Sequence, residues 1–175
     1  MDRVQKILVP VDFSERSANG LRYATSLAQE TKAELIVMHV FDKNDENSFI
    51  NSLAVFEGWP ISPNAPHRMP VDRLFREKSL DLYNFIQEAV GSHSSLRIKR
   101  RVRMGKPAKE IVAVAREEGV GLVVLALQKK SLFSYLTAQG TLLKFIWRFP
   151  CPVLLTPPIY KDWSESTEPL VSWQI

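Results

Sequence analysis

Two stretches near the start of the chain, KILVPVD (Lys6 to Asp12) and ELIVMHVF (Glu34 to Phe41), are continuous apolar runs. Such runs suit strands that are covered on both faces by helices better than half-exposed strands. Between them, FSERSANGLRYATSLAQETKAE puts Ala18, Leu21, Thr25 and Ala28 on one helical stripe, with Ser14 as the N-cap. The unit is strand, helix, strand, a crossover that is right-handed almost without exception. Pro10 has no N–H to give a central ladder, which places it where the first strand is leaving the sheet.

Further on, VDRLFREKSLDLYNFIQEAVG carries Leu74, Phe75, Leu82, Phe85, Ile86 and Ala89 at helical spacing. LRIKRRVRMG alternates instead: Leu96, Ile98, Val102 and Met104 face one way, Arg97, Lys99, Arg101 and Arg103 the other, and Arg100 interrupts the apolar side. A strand with one charged, solvated face belongs at a sheet edge, where charge also blocks unwanted pairing. KPAKEIVAVAREEG has Pro107 at a good first helical position, an apolar face of Ile111, Val112, Val114 and Ala115, and Gly119 as the stop. GLVVLAL predicts a fourth strand, TLLKFIWRF a fourth helix and PVLLT (Pro152 to Thr156) a fifth strand. Strictly alternating strands and helices predict an α/β fold with a parallel sheet and helices on both faces.

Two segments leave this pattern. From Asp42 to Pro70 the periodicity disappears, yet the stretch holds Phe49, Ile50, Leu53, Phe56 and Trp59, which predict packing on the body or on a partner. The final residues, 159–175, contain Trp163, Leu170, Val171, Trp173 and Ile175 and are too apolar for a plain solvated end. The expected organisation is one domain over 1–158, interrupted by the long loop 42–70, followed by a C-terminal extension over 159–175.

Composition narrows this little. At 175 residues, 45% hydrophobic and 24% charged, the chain matches a soluble globular protein of one domain. A formal charge of +4 is compatible with an anionic partner but does not demand one. Cys151 is the single cysteine, so no intramolecular disulfide can form, and a reducing, cytoplasmic setting is expected. No stretch reaches the roughly 18 uninterrupted apolar residues of a membrane span, and the N-terminus runs straight into a strand instead of a signal sequence.

KILVPVDFSERSANGLRYATSLAQETKAELIVMHV, GKPAKEIVAVAREEGVGLVVLAL and GTLLKFIWRFPCPVLLTP, in this order, resemble the universal stress protein family over nearly the whole body of the domain. The resemblance implies a Rossmann-like five-stranded α/β fold and a homodimer formed through the C-terminal strand. Members that bind ATP carry G-x-x-G, nine residues, then G-S or G-T. In this chain Ala126 stands where the first glycine belongs and Lys129 where the second does. Gly140 and Thr141 match the terminal pair, but ten residues separate them from Lys129. Asp12 and Val40 match the positions that hold the ribose and adenine ends in binding members.

The nucleoside side is therefore intact and the phosphate side altered. Glycine lets a backbone turn with φ > 0 approach a phosphate closely, whereas Lys129 brings a Cβ and a long stem into that space. Lys129 and Lys130 could instead contact phosphate as point charges. Asp12 is equally explained as a cap before the first helix, and Gly140–Thr141 as an ordinary helix start. The expectation is a non-enzymatic stress-response or interaction module without ordinary Mg-ATP binding and with no cofactor; the alternative is an ATP- or AMP-binding member with a modified phosphate loop.

Other chemistry has little support. His39, His67 and His93 are far apart, with no metal-ligand spacing, and no G-x-S-x-G elbow accompanies the serines. GVG at Gly119 to Gly121 precedes a strand instead of following one, which excludes a dinucleotide fingerprint. Glu117 and Glu118 are helix neighbours that point in different directions. Seven Lys or Arg fall between Arg97 and Lys109 without an acid, but no aromatic is interleaved for base stacking. Neither nucleic acid nor a membrane is an expected partner; a second copy and an unidentified protein are.

Overall fold

The computed structural model describes residues 4–41, 71–91, 96–126 and 145–156. Within them the elements are β1 (Lys6–Val11), α1 (Glu15–Thr31), β2 (Glu34–Phe41), α2 (Val71–Val90), β3 (Ile98–Met104), α3 (Pro107–Glu117), β4 (Leu122–Ala126) and β5 (Val153–Thr156). The loop 42–70 and the tail 159–175 lie outside the described residues. So do residues 141–144 of the expected fourth helix, of which Phe145 and Ile146 are helical.

All five strands run parallel in the order β3-β2-β1-β4-β5. The chain works outward from β1 to β3 and then returns to the other side of β1, so strand order reverses between β1 and β4. Alternate side chains feed two apolar layers, as a sheet covered on both faces requires. Ile7, Val9, Leu35, Val37 and Val124 pack toward α1 and α2. Leu8, Ile36, Met38, Val40, Val123 and Leu125 pack toward α3 and Phe145. Each such side chain, fully buried, contributes roughly 1.5–3 kcal/mol.

Local signals set the helix ends. Ser14 Oγ accepts from Ser17 N at 3.2 Å and caps α1. Pro107 opens α3. Gly119, at φ 62°, closes α3 with a reversed turn in which Val120 N donates to Ala115 O at 3.0 Å.

β3 is an edge strand, as its alternation predicts, but its basic face is paired and not simply solvated. Glu118, just past α3, accepts from Lys99 Nζ at 2.7 Å and from Arg101 Nη2 and Nε at 2.6 and 2.8 Å. Glu117 takes Arg103, and Arg100, on the opposite face, lies over the Tyr83 ring at 5.1 Å. The two neighbouring glutamates each find their own partners along one strand. Lys6 Nζ adds a bond to the Glu118 carbonyl at 2.6 Å, tying β1 to the same corner.

Candidate functional site

Strand order reverses between β1 and β4, and at such a point open α/β sheets bind ligands in the crevice outside the carboxyl ends of the strands. One missing hydrogen atom ends the β1–β4 pairing there. Gly121 N donates to Lys6 O and Glu34 N donates to Gln5 O, so by strand alternation the backbone groups of Lys6, Leu8 and Pro10 point at β4 and those of Ile7, Val9 and Val11 at β2. The β1–β4 register stops at Leu8↔Val123. The next ladder bond would run from residue 10 to the Val124 carbonyl, and Pro10 has no N–H to give. β1 stays paired with β2 through Val11↔His39, so Pro10 leaves one neighbour while its strand keeps the other.

Asp12 sits where β1 ends. Its Oδ1 accepts from Ser14 N at 3.2 Å and from Ser14 Oγ at 2.7 Å, while Ser17 Oγ donates to Ser14 O at 2.9 Å. The carboxylate thus braces the residue that caps α1; the cap itself is Ser14 and not Asp12. Among the described residues no bond engages Oδ2.

Val40 buries its side chain on the α3 face. Because Leu35 N donates to Arg97 O and Gly105 N to Phe41 O, alternation turns the backbone groups of Val40 toward β1. Its carbonyl therefore points past the last β1–β2 pair, into the space that β1 vacates by turning at Asp12.

Ala126, the last residue of β4, faces α1. A Cβ built on Gly20 would lie 3.3 Å from Ala126 Cβ and 3.3 Å from Thr156 Oγ1. The methyl that replaces glycine at the end of β4 is thus accommodated by a glycine on the facing helix. Lys129, Lys130, Gly140 and Thr141 lie outside the described residues, so of the seven candidate positions the fold brings together Asp12, Val40 and Ala126.

Two residues at this edge escaped the sequence reading. Phe13 has φ 61°, the left-handed region, which bulky L-residues rarely occupy. Its ring stacks on His39, with centroids 4.1 Å apart at 27°, and meets Phe85 edge-on at 5.5 Å. His39 Nδ1 lies 3.0 Å from Val11 O and donates to it, because the carbonyl can only accept. Burial pushes the His39 pKa below its ordinary value, outweighing the opposing effect of that bond. The ring is then neutral near pH 7, with its hydrogen on Nδ1. A single polar side chain inside the apolar run of β2 was the available signal.

Nothing else among the described residues resembles a reaction centre. No three His, Cys, Asp or Glu side chains gather to hold a metal there. Burial raises the Cys151 thiol pKa, which keeps it protonated. No helix among the described residues is long and apolar enough to cross a membrane.

Comparisons with known proteins agree with the fold. Residues 3–157 match the family model described as the universal stress protein family. The chain is 26% identical over 152 residues to universal stress protein YxiE of Bacillus subtilis, covering 86% of this chain and 97% of that one. Among solved structures it is similar to hypothetical protein MJ0577 (TM-score 0.63, 23% identity, 91% and 99% of the two chains). It is also similar to a universal stress protein in complex with cAMP (TM-score 0.56, 16% identity, 89% and 98%). A third is the universal stress protein from Archaeoglobus fulgidus in complex with dAMP (TM-score 0.51, 18% identity, 88% and 98%). The family match spans both strands of the crevice, the capped turn at Asp12 and the closing strand β5, and the chain belongs to the universal stress protein family.

Proposed function

We propose that this stress protein is a non-enzymatic regulatory module whose crevice takes an adenosine monophosphate and not Mg-ATP. The observation that carries this is the pair of groups at the mouth of the crevice: the Asp12 carboxylate, with Oδ2 unengaged among the described residues, and the Val40 carbonyl, which points past the end of the β1–β2 ladder. A carboxylate accepts from ribose hydroxyls, and a strand-end carbonyl accepts from the exocyclic amine of adenine. The phosphate side supports a small ligand: Ala126 and Lys129 replace both glycines of the loop that a triphosphate needs close to the backbone. Two proteins of the same fold are complexes with cAMP and with dAMP, each carrying one phosphate.

The experiment is native mass spectrometry and calorimetry on the full chain with AMP and with Mg-ATP. AMP should bind and Mg-ATP should bind at least tenfold more weakly. Equal affinity would mean that Lys129 and Lys130 rebuild a triphosphate site. No uptake of either would favour the second reading, a protein-interaction module without nucleotide, for which the capping bonds from Ser14 already account for Asp12. In both cases β5 is proposed to pair with a second copy. Its four residues are only partly buried, and no strand among the described residues covers its outer edge.

A further inference from the structure

We infer that Phe13 and His39 form a clasp that positions Asp12 for the nucleoside, so that an aromatic pair outside the ligand contacts sets the affinity of the crevice. The inference rests on the adenosine monophosphate proposed above. Asp12 lies between two fixed points. On one side Val11 O accepts from His39 Nδ1 at 3.0 Å; on the other, the Phe13 ring stacks on the same imidazole at 4.1 Å. One side chain of β2 therefore holds the residues before and after Asp12.

The turn needs such a hold. A phenylalanine at φ 61° is disfavoured and persists only where its surroundings over-determine it. Here the stack on His39, the edge contact with Phe85 and the Asp12–Ser14 bonds do so. Released, residue 13 would move toward negative φ, and the peptide between Asp12 and Phe13 would rotate and swing the carboxylate. His39 directly precedes Val40, so the clasp also fixes the spacing between the acceptor for the ribose and the acceptor for the base. The charged groups near the imidazole are Asp12 from the turn and Lys78 and Asp81 from α2, the last two 3.5 Å apart as an ion pair. The imidazole they face is neutral near pH 7, so the hold is the stack on Phe13 and the bond to Val11 O.

Phe13→Ala tests this, because alanine supplies no ring and, like phenylalanine, is disfavoured at φ 61°. AMP affinity should fall at least tenfold, and amide hydrogen exchange at residues 12–14 should quicken while exchange across β1 stays unchanged. Phe13→Tyr, which keeps the ring, should bind within twofold of the wild type. His39→Phe, which keeps a ring but loses the bond to Val11 O, should fall between the two. Asp12→Asn is the control for the nucleoside site itself and should lose binding with the stack intact. Wild-type affinity in Phe13→Ala would overturn the clasp while the nucleoside site stands. A wild type that takes up no AMP, or an Asp12→Asn variant that binds like wild type, would overturn the site, and the clasp with it.

Discussion

Replacing Gly20 by alanine gives two effects of opposite sign that the structure allows to be separated. In a helix interior the added methyl favours folding by about 1 kcal/mol over glycine. Against this, the new Cβ would sit 3.3 Å from Ala126 Cβ and 3.3 Å from Thr156 Oγ1, some tenths of an ångström inside the ordinary contact distance of about 3.5–4.0 Å. Thr156 can respond by rotating its hydroxyl, which makes only a long bond of 3.4 Å to Leu125 O. Ala126 Cβ is fixed to the backbone of β4 and can retreat only if the strand moves. Overpacking of this kind costs about 1–3 kcal/mol, so Gly20→Ala alone should be neutral or destabilise by up to about 2 kcal/mol. In an Ala126→Gly background the main obstruction is gone, and the same substitution should stabilise by about 1 kcal/mol. Urea denaturation of the four proteins of this double-mutant cycle measures the coupling, expected at about 1–3 kcal/mol. If Gly20→Ala stabilises equally in both backgrounds, the helix and the end of β4 are not in the contact described and the account of Ala126 fails.

Two further outcomes follow from the titrating groups. Glu118→Gln should destabilise by about 1–2 kcal/mol, an amount held down by the partial exposure of Lys99 and Arg101. The Lys99 hydrogen bond, aided by Arg101 and opposed by burial, holds the Glu118 pKa below its usual 4.5. The stabilisation is therefore full above the unfolded pKa and lost as pH falls through the folded one, and an acid titration of Glu118→Gln should show a flatter limb there. For His39 the folded pKa also lies below the unfolded value of 6.5, so the unfolded chain takes the proton first. Stability should be full above about pH 6.5 and decline below it by at most about 1.4 kcal/mol per pH unit until the folded pKa is passed; urea midpoints in His39→Phe should not change over that window.

Features encoded within a few neighbouring residues were legible from the chain itself. The Ser14 cap, Pro107 at the start of α3 and Gly119 at its end each depend on the geometry of one turn, and all three lie where the pattern put them. The continuous apolar runs of β1 and β2 announced a sheet covered on both faces, and the alternation of β3 its place at the edge. The pairing of the partly exposed basic face of β3 was not legible, because its partners, Glu117 and Glu118, come from the far end of the following helix. A pattern within one strand carries no sign of a carboxylate that only the crossover brings alongside. Asp12, Val40 and Ala126 could be placed through motif positions. Phe13 could not, because its left-handed backbone depends on the stack with His39 from another strand.

Pro10 gives the crevice a property that side chains could not. Strands kept from pairing by bulky or charged groups can pair when those groups turn away, but a ladder that lacks a donor cannot form that bond in any state. The end of the β1–β4 pairing is therefore built into the covalent chain and does not depend on a ligand. Ligand entry beyond Val123 therefore breaks no ladder bond between β1 and β4.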